Sequence, residues 1–257
     1  MNKYPKLAIG IITYNRHKEF NTVLTSILDN VIYPREQLRF IICDDGSGED
    51  YVSSFIGREG FTVKFNKRLG MGGNWNSMMR ACHAESDFVL CCQDDWQFME
   101  PLDLRVGVRF LQDRIEYGML RYHKVSGHVG LPMVTESWDT RKYFKNLNDG
   151  ENEYAPHEML FFELLPPFDN SNTFSPYSGG VHLRHRRFTR CYGNYKEGKK
   201  FSYSEMDFFT RVNGAIRRDL NSASRIAIFT RYLKSRFLDI GVSFRDTETE
   251  AETLRSE

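Results

Sequence analysis

Phe88-Val89-Leu90-Cys91-Cys92-Gln93-Asp94-Asp95-Trp96 starts as an apolar run and ends in two adjacent carboxylates. Five apolar residues between Asp87 and Gln93 read as a buried strand covered on both faces. Asp94 and Asp95 leave the sheet at the strand's carboxyl end, where open α/β sheets bind ligands. Side by side they repel each other unless a cation sits there. A hard divalent ion such as Mg²⁺ or Mn²⁺ takes oxygen ligands and bridges carboxylate to substrate phosphate. Taken alone, the stretch reads equally well as a strand followed by a solvated acidic turn.

Working outward, the pattern repeats. Leu7-Ala8-Ile9-Gly10-Ile11-Ile12 is a buried-strand run that stops at Thr13-Tyr14-Asn15-Arg16, and Phe20, Val23, Leu24, Ile27 and Leu28 follow at helical spacing. Leu38 to Cys43 is a second strand, ending at Asp44-Asp45-Gly46-Ser47, with a short helix over Glu49 to Ile56. Phe61 to Phe65 is a third, leading through Arg68 and Gly70-Met71-Gly72-Gly73 into a helix from Asn74 to Ala84. Pro101 suits the first turn of a helix with Leu104, Val108, Leu111 and Ile115 on one face. Strand–helix repeated four times implies a mostly parallel sheet with helices on both faces. Its four loaded strand ends, Thr13–Arg16, Asp44–Ser47, Arg68–Asn76 and Asp94–Trp96, then share one edge.

The 257 residues can bury a sizeable core. Lys plus Arg number 35 against 34 Asp plus Glu, a balance that gives no sign of a global nucleic-acid or membrane-surface binder. Five cysteines without CxxC spacing fit a reducing compartment rather than a disulfide framework or zinc site. Leu7–Ile12 is too short for a signal peptide, and no run reaches membrane-span length. The expected location is the cytoplasm.

Beyond Gly118 the pattern breaks up, and the aromatic-rich segment to Pro176 predicts short strands and a flap. Tyr177-Ser178-Gly179-Gly180 is a tight turn into Val181–Leu183. Ser204-Glu205-Met206-Asp207 predicts a helix start, with Phe208, Phe209, Val212 and Ile216 as its buried side, and Ile226, Phe229, Leu233 and Phe237 predict a last helix. The expected division is a domain over 1–220 in two halves, 1–100 and 101–220. A helical extension over 221–245 and a disordered acidic tail from 246 follow.

The strand ends carry distinct chemistries. Asp44 or Asp45 can accept from a nucleobase N–H or a ribose hydroxyl, or Asp-Gly-Ser simply forms a turn. Thr13 and Asn15 can complete a nucleoside pocket. Gly70-Met71-Gly72-Gly73 fails the G-x-G-x-x-G pattern because position 75 is Trp75. Its backbone N–H groups beside Arg68 still suit a diphosphate at a helix start. Glu205 sits in a capping-box-like Ser204-x-x-Asp207, which reads as a plain helix start. The basic run His182–Arg190 reads as a solvated face or as a steering patch for an acidic acceptor.

In this order and at these spacings, Ile11–Arg16, Cys43–Ser47, Asn66–Gly70 with Asn74-Trp75-Asn76, Gln93-Asp94-Asp95, Gly179-Gly180 and Ser204–Asp207 carry a resemblance. Over residues 7 to 215 the chain resembles an inverting family-2 glycosyltransferase of the GT-A fold, a Rossmann-like α/β sheet with an irregular acceptor side. The resemblance implies Mn²⁺ or Mg²⁺, a nucleotide-diphosphate sugar donor (a UDP-sugar favoured) and a glycan, lipid-linked or other hydroxyl acceptor. It implies Thr13, Tyr14, Asn15, Arg16, Asp44, Asp45, Arg68, Gly70 and Asn74 around the nucleotide. Gln93-Asp94-Asp95 takes the place of the D-x-D motif, with Asp94 by the ribose, Asp95 on the metal and a neutral Gln93 where the family has Asp. His182 is the candidate third metal ligand, Gly179 and Gly180 lie by the donor sugar, and Glu205 takes the base position with Asp207 as alternate. A nucleotide-sugar-binding protein without catalysis and a nucleotidyltransferase are the competing classes. The latter needs a phosphate-binding glycine loop after the first strand, which Thr13–Arg16 does not offer.

Overall fold

The computed structural model describes residues 4–48, 52–122, 144–146, 159–164, 176–177, 179–198, 201–219, 221, 223–231 and 237–239. The chain runs β1 (Leu7–Thr13), α1 (His17–Asn30), β2 (Val31–Ile32), β3 (Leu38–Asp44), β4 (Phe61–Phe65), α2 (Gly70–Glu85) and β5 (Phe88–Gln93). It continues through β6 (Trp96–Phe98), β7 (Leu102–Asp103), α3 (Leu104–Asp113), β8 (Tyr117–Arg121), β9 (Phe144–Asn146) and β10 (Met159–Leu164). The last elements are β11 (His182–His185), α4 (Arg186–Tyr192), α5 (Phe201–Arg218), β12 (Arg225–Arg231) and β13 (Phe237–Asp239).

One nine-stranded mixed sheet has the order β4-β3-β1-β5-β11-β8-β12-β10-β9. The expected parallel half is present: β4, β3, β1 and β5 are mutually parallel. The period of two along β1 builds two cores. Leu7, Ile9 and Ile11 face the cluster that holds α1 and α3, while Ala8 and Ile12 face the cluster of α2, α4 and α5. Gly10 lies on the second face because a Cβ there would sit 2.6 Å from the Met78 sulfur and 2.8 Å from that of Cys82. The absent side chain lets α2 close on the sheet.

The chain lays β3 and β4 on one side of β1, then returns to place β5 on the other. The strand order thus reverses between β1 and β5, and the crevice outside the carboxyl ends at such a point is where open α/β sheets hold ligands. Register aligns the loaded ends, pairing Thr13 with Asp44 and Ile12 with Gln93.

Several expectations are corrected. The last helix is a strand over Arg225–Arg231, parallel to β8. An open sheet edge and a run rich in β-branched and aromatic residues outweigh the helical spacing, whose Leu233 lies outside the described residues. The pattern does not break at Gly118, which is inside β8; there the missing Cβ admits Ser224 and Phe188. Residues 53–55 form a single 3₁₀ turn rather than a helix, residues 49–51 being outside the described set. Helix α3 ends at Asp113, leaving Ile115 exposed. Helix α5 begins at Phe201, so Ser204 lies inside it and does not cap it. The acidic tail and the flap aromatics Trp138, Tyr143 and Tyr154 fall outside the described residues.

Candidate functional site

Arg16, at the amino end of α1, reaches across the crevice to the end of β5. Its Nη1 donates to Asp95 Oδ2 at 2.6 Å and to Asp94 Oδ1 at 3.4 Å. All three side chains are largely buried. Asp94 also accepts the Tyr14 backbone N–H at 3.2 Å and a bond from the Thr13 side chain. Burial, then the Asp95 charge beside it, pushes the Asp94 carboxyl up to about 7. The sheet thus forces two carboxylates together where solvation is poor, and the Arg16 guanidinium is held on them.

The nucleotide-side expectations divide. Asp44 accepts from the backbone of Gly46 and Ser47 at 3.2 and 2.9 Å and from the Ser47 hydroxyl, which closes the turn. Asp45 accepts the Leu69 and Gly70 N–H groups at 2.7 and 2.9 Å. The backbone donors expected to hold a diphosphate at Gly70 therefore hold Asp45, which caps α2 from another strand end and starts it before Asn74. Asn74 donates to the Cys43 carbonyl at 3.1 Å and the Thr13 carbonyl at 3.5 Å and accepts from Asn66, tying α2 to β1 and β3. Asn15 has φ 50° and donates its N–H to the Ser47 hydroxyl at 2.7 Å. The Arg68 guanidinium lies 4.1 Å from the Tyr14 ring centroid, a cation–π contact on the crevice wall.

On the other side of β5, the residue pair Gly179 and Glu205 comes together. A Cβ on Gly179 would collide with Glu205 Oε1 and stand 4.0 Å from Gln93 Nε2. Glu205 is partly buried, and burial followed by the Asp95 charge raises its carboxyl above the ordinary range. Glu205, Gly179, Gln93 and the acidic pair thus share one end of the sheet. Asp207, the alternate base, points elsewhere: Lys196 at 2.6 Å and Arg211 at 3.1 Å hold it, and the Lys196 hydrogen bond lowers its pKa.

His182 is fully buried in β11. Its Nδ1 lies 2.7 Å from the Gly180 carbonyl and its Nε2 3.1 Å from Arg184, with Trp75 stacked on the ring. Both ring nitrogens are engaged inside the protein, so His182 is not placed as a metal ligand. The basic run His182–Arg190 is not a solvated face either. Arg184 is buried between the rings of Phe188 and Phe208, and Arg187 donates to backbone carbonyls of Tyr117 and Leu111. Among the described residues no cluster of three His, Cys, Asp or Glu able to hold a metal is formed. What the chain offers is a carboxylate pair already carrying a cation, a donor set that fits an ion completed by phosphate oxygens and water. Sequence reasoning missed the roles of Tyr177 and Tyr195, buried near Glu205; their polar atoms give no periodic signal.

Comparison with known proteins agrees with this geometry. The sequence profile described as glycosyl transferase family 2 matches residues 8–224. No curated protein matches the chain. Among solved structures, residues 1–349 of S. aureus TarS are similar, with a TM-score of 0.55 at 16% identity, covering 88% of this chain and 60% of that one. The same TarS fragment in complex with UDP-GlcNAc gives 0.53 at 15% identity, covering 90% and 59%. The mannosyltransferase PcManGT from Pyrobaculum calidifontis, in complex with GDP-Man and Mn²⁺, gives 0.51 at 13% identity, covering 88% and 57%. The chain spans 57–60% of the length of these solved chains, and 37% of a longer TarS chain. No helix among the described residues is long and apolar enough to cross a membrane. The likeness to solved structures is one of fold, whereas the profile runs from β1 to the residue before β12: the chain belongs to glycosyltransferase family 2, on a GT-A-type sheet.

Proposed function

We propose that this chain transfers a sugar from a nucleotide-diphosphate donor to a hydroxyl acceptor by direct displacement with inversion. The observation that carries the reading is Glu205 standing by Gly179 at the sheet end where Asp94 and Asp95 emerge. A base must lie within reach of the acceptor proton and have a pKa nearer the operating pH than an ordinary carboxylate. Glu205 has the second property through burial and Asp95.

Asp95, with Asp94, would hold a divalent ion, which when bound offsets charge on the leaving diphosphate. Arg16 and Arg68 line the same crevice and would bind the phosphates. Tyr14, Thr13 and Asn15 form its floor toward the base, with Asp44 and Asp45 shaping the wall rather than offering free carboxylates. Gly179, packed against Glu205, and Gly180 would lie by the donor sugar. UDP, UDP-GlcNAc and GDP-Man occur with the similar structures, which makes uridine and guanosine donors the first to test. Five free cysteines, four of them buried, fit a reducing, cytoplasmic setting.

Glu205→Gln tests the reading. It keeps size and polarity but takes no proton, so nucleotide affinity stays and transfer falls about 10²–10⁴-fold. Near-normal turnover by this variant rejects Glu205 as the base.

A further inference from the structure

The segment Tyr195–Glu197 crosses α2 and is fastened to α2 and α5 at once. Asn76 pairs with it as a neighbouring strand would. Tyr195 N–H donates to Asn76 Oδ1 at 2.9 Å, and Asn76 Nδ2 donates to the Tyr195 carbonyl at 2.9 Å and to Glu197 Oε1 at 2.8 Å. Asn76 is 2% exposed, so its amide is committed inside the protein in one orientation. A Cβ at Gly72 would collide with the Lys196 carbonyl, so α2 lets the segment pass in contact.

On its far side the segment grips α5 just before and just after Glu205. Ser204 Oγ donates to the Lys196 carbonyl at 2.8 Å, and Lys196 Nζ meets Asp207 at 2.6 Å. The Tyr195 ring stacks on Trp75 of α2 at 5.8 Å and on Phe208 of α5 at 4.2 Å. Its hydroxyl pairs with that of Tyr177, two residues before Gly179. The same α2 is capped by Asp45 and tied to the ends of β1 and β3 by Asn74.

We propose that Asn76 is a positioning residue: through Tyr195–Glu197 it fixes where α5 carries the Glu205 carboxylate relative to Asp94 and Asp95. The nucleotide half of the crevice thereby sets the geometry of the acceptor half. This rests on reading Glu205 as the base, and the experiment separates the two.

The full chain is compared with Asn76→Ser, Ser204→Ala, Lys196→Met and Glu205→Gln. Hydrolysis of UDP-GlcNAc and GDP-mannose, UDP and GDP affinity by calorimetry, and amide exchange are measured. Asn76→Ser is expected to lower kcat about 10–100-fold, as small displacements of reacting groups do. Donor KM and nucleotide affinity stay within about twofold, and no further loss appears in the Glu205→Gln background. Independently of turnover, amides of Ser204–Asp207 exchange faster together with those of Tyr195–Glu197. Faster exchange confined to 195–197 with unchanged kcat overturns the proposal, as does an equal loss of nucleotide affinity. Should Asn76→Ser not fold, Ser204→Ala and the exposed Lys196→Met read the same coupling from the other end, and unchanged exchange across α5 in both overturns it. If Glu205→Gln retains turnover, the base reading fails while the exchange result still decides the coupling.

Discussion

Gly179 faces Glu205 with no room between them: a side chain at 179 would overlap Oε1 and stand 3.3 Å from Cδ of the carboxylate. The clash is with the far end of a flexible side chain, so the requirement at 179 is for space beside that carboxylate. Gly179→Ala should therefore fold normally and move Glu205. We expect nucleotide affinity to persist while transfer falls about 10²-fold, the scale of a small misplacement. Unchanged turnover with the alanine would show that the carboxylate acts from another rotamer.

Arg16 occupies the acidic pair as a cation, so a divalent ion must compete with it. A unit-charge pair about 4 Å apart is worth about 4 kcal/mol at a near-surface effective dielectric, and part of that attraction is returned when the guanidinium is removed. Arg16→Gln should tighten Mn²⁺ binding about tenfold in the absence of nucleotide, read by spin-resonance titration of free Mn²⁺; tenfold corresponds to about 1.4 kcal/mol. Weaker binding would mean that Arg16 organises the pair for the ion.

Asp94 titrates near 7 in the folded chain against an ordinary 3.8, because burial and then Asp95 disfavour its charge. Between those values the folded state holds a proton that the unfolded state has released. The stability contributed by this group is complete below about 4 and lost as pH rises toward 7. His83 and His185, both held near 4 chiefly by burial, act oppositely, favouring the fold as pH rises from 4 toward 6.5. Denaturant titration of wild type and Asp94→Asn in chelator should show a difference in stability that changes across pH 4 to 7, the histidine contribution cancelling. A pH-independent difference would contradict the placement of Asp94.

Four thiols are buried and one, Cys191, is exposed. Burial pushes Cys43 up to about 12, Cys91 to about 11, and Cys82 and Cys92 well above 9. Iodoacetamide near neutral pH should add one label to the native chain, on Cys191, and five after denaturation, counted by intact mass. Rapid labelling of Cys91 or Cys92 in the native state would show that the core of β5 opens.

By itself, the sequence determined what depends on neighbours along the chain. Apolar runs and helical spacing placed β1, β3, β4, β5 and α1, and the end of each strand marked the edge where Arg16, Asp94 and Asp95 meet. Only the tertiary structure decided what depends on partners far away. The strand at Arg225–Arg231 exists because β8 presents an edge to it, against a local spacing that reads as helix. Asp45 spends its carboxylate on the start of α2, twenty-four residues on. His182 and Arg184, legible only as a basic run, are buried because β11 is inserted between β5 and β8. Glu205 and Asp207 are two residues apart and chemically alike, and helical geometry turns one toward Gly179 and the other toward Lys196. Local propensity acts over a few residues, whereas burial and hydrogen-bond satisfaction are settled by whatever the fold brings alongside.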